Sequence, residues 1–168
     1  PPEEPKLTLT GHIEELRRRL AISLGAVLVG VGVSVTQLER LIAWLKQPAG
    51  PLLPRFAFFS PTEPLVAYTK VVILSGLVLA MPCVLWQAWA FVRPGLAPRE
   101  RSHGLAFIWW GSAQFLAGVA FAYAILLPLA LRVLLGIGHD TLEPVISIDQ
   151  YLGFVTSLAF WCGVAFEL

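Results

Sequence analysis

"GHIEELRRRL", residues 11–20, is half charged, and "AISLGAVLVGVGVSV", residues 21–35, carries no charge at all. The junction between the two decides the fold. Two adjacent carboxylates (Glu14 and Glu15) and three consecutive arginines (Arg17, Arg18 and Arg19) stand at the edge of an apolar run that continues to Leu38. A solvated helix face is one reading of such a border, and the threshold of a membrane is the other. The rest of the chain selects the second. The run is too long for the apolar part of a cleaved signal peptide, and no small-residue cleavage pattern ends it.

Of 168 residues, 57% are hydrophobic and only 14% charged, and the mean hydropathy is +0.73. Soluble domains are usually about 45–50% apolar and about 25% charged, so there is too little charge here to cover a water-exposed surface. The charge is also segregated. Residues 20–38, 71–92, 104–131 and 150–166 contain none. About 20 apolar helical residues cross a bilayer; three of these stretches meet that length and the fourth falls slightly short. The expected fold is an all-α membrane protein, a bundle of four transmembrane helices over approximately 16–38, 66–92, 104–131 and 148–168 in a single domain.

Between the first two spans, "ERLIAWLK" is short and amphipathic and reads as an interfacial helix carrying Trp44. Five prolines (48, 51, 54, 61 and 64) then make the connection a stiff cap loop. Thr10 is a candidate N-cap for the first helix, which is expected over about 11–38. Pro82 should kink the second helix, Pro128 should bend the third, and the fourth should begin near Ser147 or Asp149. Cys83 and Cys162 lie inside apolar stretches without metal-ligand spacing and read as small packing residues. Trp86, Trp89, Trp109 and Trp110 read as an interfacial belt.

Orientation follows the lysines and arginines near helix ends. With the N-terminus inside, Lys6, Arg17, Arg18, Arg19, Arg93, Arg99 and Arg101 face the cytoplasm. Arg40, Lys46, Arg55, Lys70 and Arg132 lie outside. The tight clusters at 17–19 and 93–101 favour a cytoplasmic N-terminus and place the proline-rich loop on the outer face.

The carboxylates weaken the basic patches they sit in. Glu15 lies four residues before Arg19, the favourable order for a helical ion pair; Glu100 sits between Arg99 and Arg101. Local pairing is the simple reading. An acidic site offered to a cationic partner at the membrane surface is the functional one.

"HIEELRRRL" resembles the N-terminal signature of the TatC family, the multi-spanning receptor subunits of the twin-arginine protein translocase. The likeness continues in order. "LKQP" places Pro48 on the family's first outer-loop proline. "MPCVLWQAWAFVRPGL" is similar to the end of the family's second helix, with Pro82, Gln87, Phe91, Pro94 and Leu96 on motif positions. "RER" puts Glu100 on the inner-loop glutamate. "FAYAILLPLAL" and "YLGFVTSLAFWCGVAFEL" match the third and fourth helices, with Glu167 on an intramembrane acidic position. The family has six spanning helices, so a chain with four is expected to be a fragment. Arg93 stands where other members can carry a neutral residue.

The resemblance implies a non-enzymatic receptor in the inner membrane of a prokaryote. It would bind twin-arginine signal peptides, work with TatA- and TatB-type single-span subunits, and export folded proteins using the proton-motive force, with self-association left open. A guanidinium pairs with a carboxylate through two parallel bonds, so two arginines call for two acidic acceptors. Glu100 is the first expected acceptor and Glu15 the second, with Phe91 and Leu96 beside them. Arg17 and Arg19 would deter peptides of the wrong charge pattern. Glu167 and Gln87 are the expected intramembrane polar groups, and Pro48, Pro82 and Pro94 the structural prolines. The competing reading is a proton- or ion-coupled secondary transporter using Glu167, which would call for inverted repeats; none is visible. Catalytic pairs, a phosphate loop, metal spacing and a nucleic-acid signature are absent from the sequence, so no cofactor is expected.

Overall fold

A computed structural model of the chain describes residues 9–50, 56–95, 104–137 and 145–168, and these are almost entirely helical. Helix α1 spans Leu9–Thr36. It begins before Thr10, which therefore lies inside the helix and does not cap it. It also stops two residues short of Leu38. Gln37 leaves helical geometry (φ −111°, ψ 12°), and α2, Leu38–Lys46, starts at once beyond it. The amphipathic α2 was expected at the interface. Its buried residues, Ile42 and Leu45, pack into the protein, while Trp44 is exposed. A 3-10 turn over Gln47–Ala49 carries Pro48.

Helix α3 spans Glu63–Val92 and opens with Pro64 in its first turn, where a missing N–H leaves no bond unmade. It runs through Pro82 without interruption. A 3-10 turn, Arg93–Gly95, closes it around Pro94. Helix α4, Gly104–Phe121, continues through a π-helical turn over Ala122–Leu126 into α5, Leu127–Gly136. Pro128 has no N–H to donate and its ring crowds the preceding turn. The chain answers by widening that turn, with Leu127 N–H donating to Ala122 O five residues back. Helix α6, Ile148–Glu167, is capped by Ser147, whose Oγ accepts from Asp149 N–H at 3.2 Å.

Helix α3 is the centre of the bundle. It packs against α1, α4 and α6, and α4 packs against α6. Two glycine crossings allow the closest approaches. A Cβ on Gly76 of α3 would stand 2.5 Å from the backbone nitrogen of Val31 in α1, and one on Gly118 of α4 would stand 2.5 Å from the carbonyl oxygen of Cys162 in α6. Small residues let backbones meet where no water is available to drive helices together. The largest buried cluster lies at the end of the bundle that carries α2. It includes Leu45, Val71, Leu127, Tyr151 and Leu152. This end is called the cap end below, and the opposite one the N-terminal end.

Elsewhere the surface is apolar and exposed, as at Leu24, Val29, Trp109 and Trp110. Among the described residues, three helical stretches are long and apolar enough to cross a membrane: Gly11–Thr36, Glu63–Gly95 and Gly104–Gly136. Helix α6 has 20 residues and carries Asp149 in its first turn. Cys83 and Cys162 are both free thiols.

Candidate functional site

At the N-terminal end, the start of α1 meets the end of α3. His12, Glu15 and Arg19 recur at helical spacing and share one stripe of α1. Arg19 Nε donates to Glu15 Oε1 at 3.0 Å, and Nη2 bonds the same oxygen. Among the described residues no donor reaches Glu15 Oε2. One turn earlier, the His12 ring stacks on Phe91 of α3, with centroids 4.4 Å apart and planes 24° apart. That stack joins the acidic stripe to the second helix. Glu14, Arg17 and Arg18 are exposed, as is Arg93.

The structure therefore brings Glu15, Arg19 and Phe91 together and leaves Arg17 exposed to solvent. Gln87 lies half-buried on α3, one turn before Phe91. Leu96 and Glu100 lie outside the described residues, as do Arg99 and Arg101. Among the tryptophans, Trp86, Trp109 and Trp110 are exposed, whereas Trp89 packs on Phe107 with ring centroids 5.2 Å apart.

Glu167 ends α6 and reaches α4. A Cβ on Gly111 would lie 3.3 Å from each of its carboxylate oxygens. Its Oε1 is buried without a hydrogen-bond partner, and the same holds for Ser112 Oγ. Gly111 lies seven residues into α4, so the carboxylate sits roughly 10 Å along that helix at 1.5 Å per residue. The carboxylate is covered by α4, where Gly111 leaves the room for it.

The cap end holds the polar residues that sequence reasoning passed over. Glu63 Oε2 accepts from Phe59 N–H at 3.0 Å and from Ser147 Oγ at 2.9 Å. Ala57 and Ser147 form a single parallel β-bridge, with Ala57 N–H donating to Ile146 O and Ile148 N–H donating to Ala57 O. Lys70 Nζ bonds both oxygens of Asp149, at 2.7 and 2.9 Å. Tyr151 Oη donates to Leu45 O, and Tyr123 Oη to Trp44 O, both at 2.7 Å. Trp44 also stacks on the Tyr123 ring. Lys70 was the available signal. A lysine two turns inside an apolar helix needs a partner, but only helix packing names Asp149.

A bundle sheathed in exposed apolar side chains, with membrane-length helices and charge at its ends, is a multi-spanning helical membrane protein. Residues 11–168 match the family described as Sec-independent protein translocase protein (TatC), and the chain belongs to that family. The TatC protein of Synechocystis sp. is 40% identical over 99% of this chain and 65% of its own length. That of Aquifex aeolicus is 37% identical over 96% of this chain and 69% of its own. The chain thus spans about two thirds of the length of these relatives. A crystal structure of the twin-arginine translocase receptor TatC superposes with a TM-score of 0.85 at 36% identity, covering 93% of this chain and 70% of the other.

Proposed function

We propose that this chain forms the signal-peptide-reading part of a twin-arginine translocase receptor. Its N-terminal end faces the cytoplasm of a prokaryotic cell, and α6 serves as a fourth span of the inner membrane. Its ligands are the twin-arginine signal peptides of folded proteins, and its partners are TatA- and TatB-type single-span subunits that use the proton-motive force with it. Family membership supports the reading.

The observation that carries it is the placement of Glu15. Both bonds from Arg19 end on Oε1, so an incoming guanidinium can take Oε2. The His12–Phe91 stack beside it supplies an aromatic edge for the residues that follow the arginines. Glu100 is the other acceptor in this proposal, and the stronger of the two, as the family motif implies. Glu167 and Gln87 are its intramembrane polar groups.

The test is the affinity of the chain for a twin-arginine peptide and for its twin-lysine counterpart. A hydrogen bond between charged groups contributes about 1.5–3 kcal/mol, so Glu100→Ala should weaken twin-arginine binding roughly ten- to a hundred-fold. Glu100→Arg should weaken it further by adding repulsion. Unchanged affinity for both peptides, at low and high salt alike, would reduce Glu100 to an ion-pair partner of Arg99 or Arg101.

A further inference from the structure

Two cavities lie side by side near the cap end and share Leu74 and Thr156. The first, about 370 Å³, is apolar, lined among others by Leu41, Trp44 and Val78. It reaches the surface at Val33 and Leu79, both at least half exposed. The second, about 560 Å³, is mixed: Lys70, Asp149, Gln150 and Ser157 line it together with Leu74 and Gly153. Lys70 lies across α6 beside Gly153, where an added Cβ would stand 3.7 Å from Nζ, an ordinary contact. The Lys70–Asp149 pair stays open to a ligand, with side-chain exposures of 44% and 25%.

We propose that the two cavities together bind one zwitterionic phospholipid of the leaflet at the cap end. Its phosphate lies on Lys70 Nζ, its head-group ammonium on Asp149, and one acyl chain fills the apolar cavity. The argument is charge complementarity joined to depth. A positive and a negative group side by side in a groove match a head group with both signs. A net anionic head group would set its charge against Asp149. Lys70 lies seven residues from the start of α3 at Glu63, roughly 10 Å along the helix, and Leu74 and Val78 lie about 6 and 12 Å deeper. A chain running inward from Lys70 therefore enters the apolar cavity, whose volume is in the usual range for ligand sites. An apolar helix of a partner could fill the same cavity but would offer no charged group to the exposed Lys70–Asp149 pair.

The experiment places the chain in nanodiscs of phosphatidylglycerol containing a trace of phosphatidylethanolamine with a photoreactive acyl chain. Phosphatidylglycerol and diacylglycerol carrying the same chain are the controls. The ethanolamine lipid should label residues 33–37 and 74–79 at least about tenfold above residues 24–29, the effect of one bond to a charged group. The controls should show no such enrichment. Lys70→Gln should remove most of it. So should Leu79→Trp, which fills the cavity mouth and leaves the ion pair intact. Uniform labelling, equal enrichment by either control, or indifference to both variants would overturn the proposal. So would a photoreactive residue at position 79 that, in cell membranes, crosslinks to a protein helix and not to lipid.

Discussion

The two ends of this bundle hold their polar groups in opposite ways. At the cap end, partners come from distant parts of the chain: Tyr151 with Leu45 is 106 residues apart, Ser147 with Glu63 is 84, and Lys70 with Asp149 is 79. At the N-terminal end, the described ion pair is between Glu15 and Arg19, four residues apart on one helix, and the arginines around it are exposed. Bonds that join remote segments fix the relative position of helices. A pair within one helix turn fixes nothing beyond itself, and helical pairs four residues apart contribute only about 0.3–0.5 kcal/mol. The cap end is thus built to stay as it is. The N-terminal end keeps charge available for exchange, which suits the receptor surface proposed for it.

The sharpest way to break this contrast is to cut the cap. Glu63→Ala removes the acceptor of both Ser147 Oγ and Phe59 N–H. Losing one partner of a part-buried bond costs about 1–3 kcal/mol, so the thermal midpoint in detergent should fall clearly while twin-arginine affinity stays within twofold of the original, under about 0.5 kcal/mol. If binding fell in step with stability, the two ends would be one coupled unit and the division drawn here would fail.

Tyr151→Phe is a smaller cut. The ring keeps its packing in a site that is only 2% exposed, and the change deletes just the bond to Leu45 O. The expected loss is about 0.5–1.5 kcal/mol, again without an effect on peptide binding. A larger loss than that of Glu63→Ala would move the cap's anchor from the Glu63 cluster to α2.

The same contrast explains what the sequence could and could not reveal. The segregation of charge made the long helices legible, and Pro128 announced a disturbance that the π-helical turn over Ala122–Leu126 embodies. The start of α6 was legible to within two residues, at Ser147 or Asp149, and the structure makes Ser147 the cap. The Glu15–Arg19 pair was legible because it is local chemistry. The cap-end bonds were not, because a partner 79 or more residues away depends on how helices pack. The capping reading of Thr10 failed because its own backbone is already helical within α1. The amphipathic pattern of α2 showed that one face must be covered, but it could not say whether lipid or protein covers it. Here Trp44 and Leu45 O are met by Tyr123 and Tyr151.

Glu15→Ala tests the N-terminal end directly. It should leave the thermal midpoint almost unchanged, because the lost pair is local and contributes at most about 0.5 kcal/mol. It should weaken twin-arginine binding by less than the Glu100 change, since part of the gained bond replaces the one to Arg19. A midpoint drop as large as that of Glu63→Ala would show that the stripe on α1 is structural.

The smallest expected effect has the opposite sign. Arg19 holds Glu15 through two bonds to one oxygen, and a ligand guanidinium that wants both oxygens must loosen that hold. Arg19→Gln keeps a long polar side chain but removes the competing charge. With a helical pair four residues apart contributing about 0.3–0.5 kcal/mol, relief of the competition should tighten twin-arginine binding about twofold. The gain should shrink as salt rises, because a screened pair competes less to begin with. Twin-lysine affinity should rise as well, since any cation gains from the vacated carboxylate, so the ratio between the two peptides should change little. A fall in twin-arginine affinity alone would mean that Arg19 orients Glu15 for recognition, and the local pair would then belong to the site as a positioning element and not as a competitor.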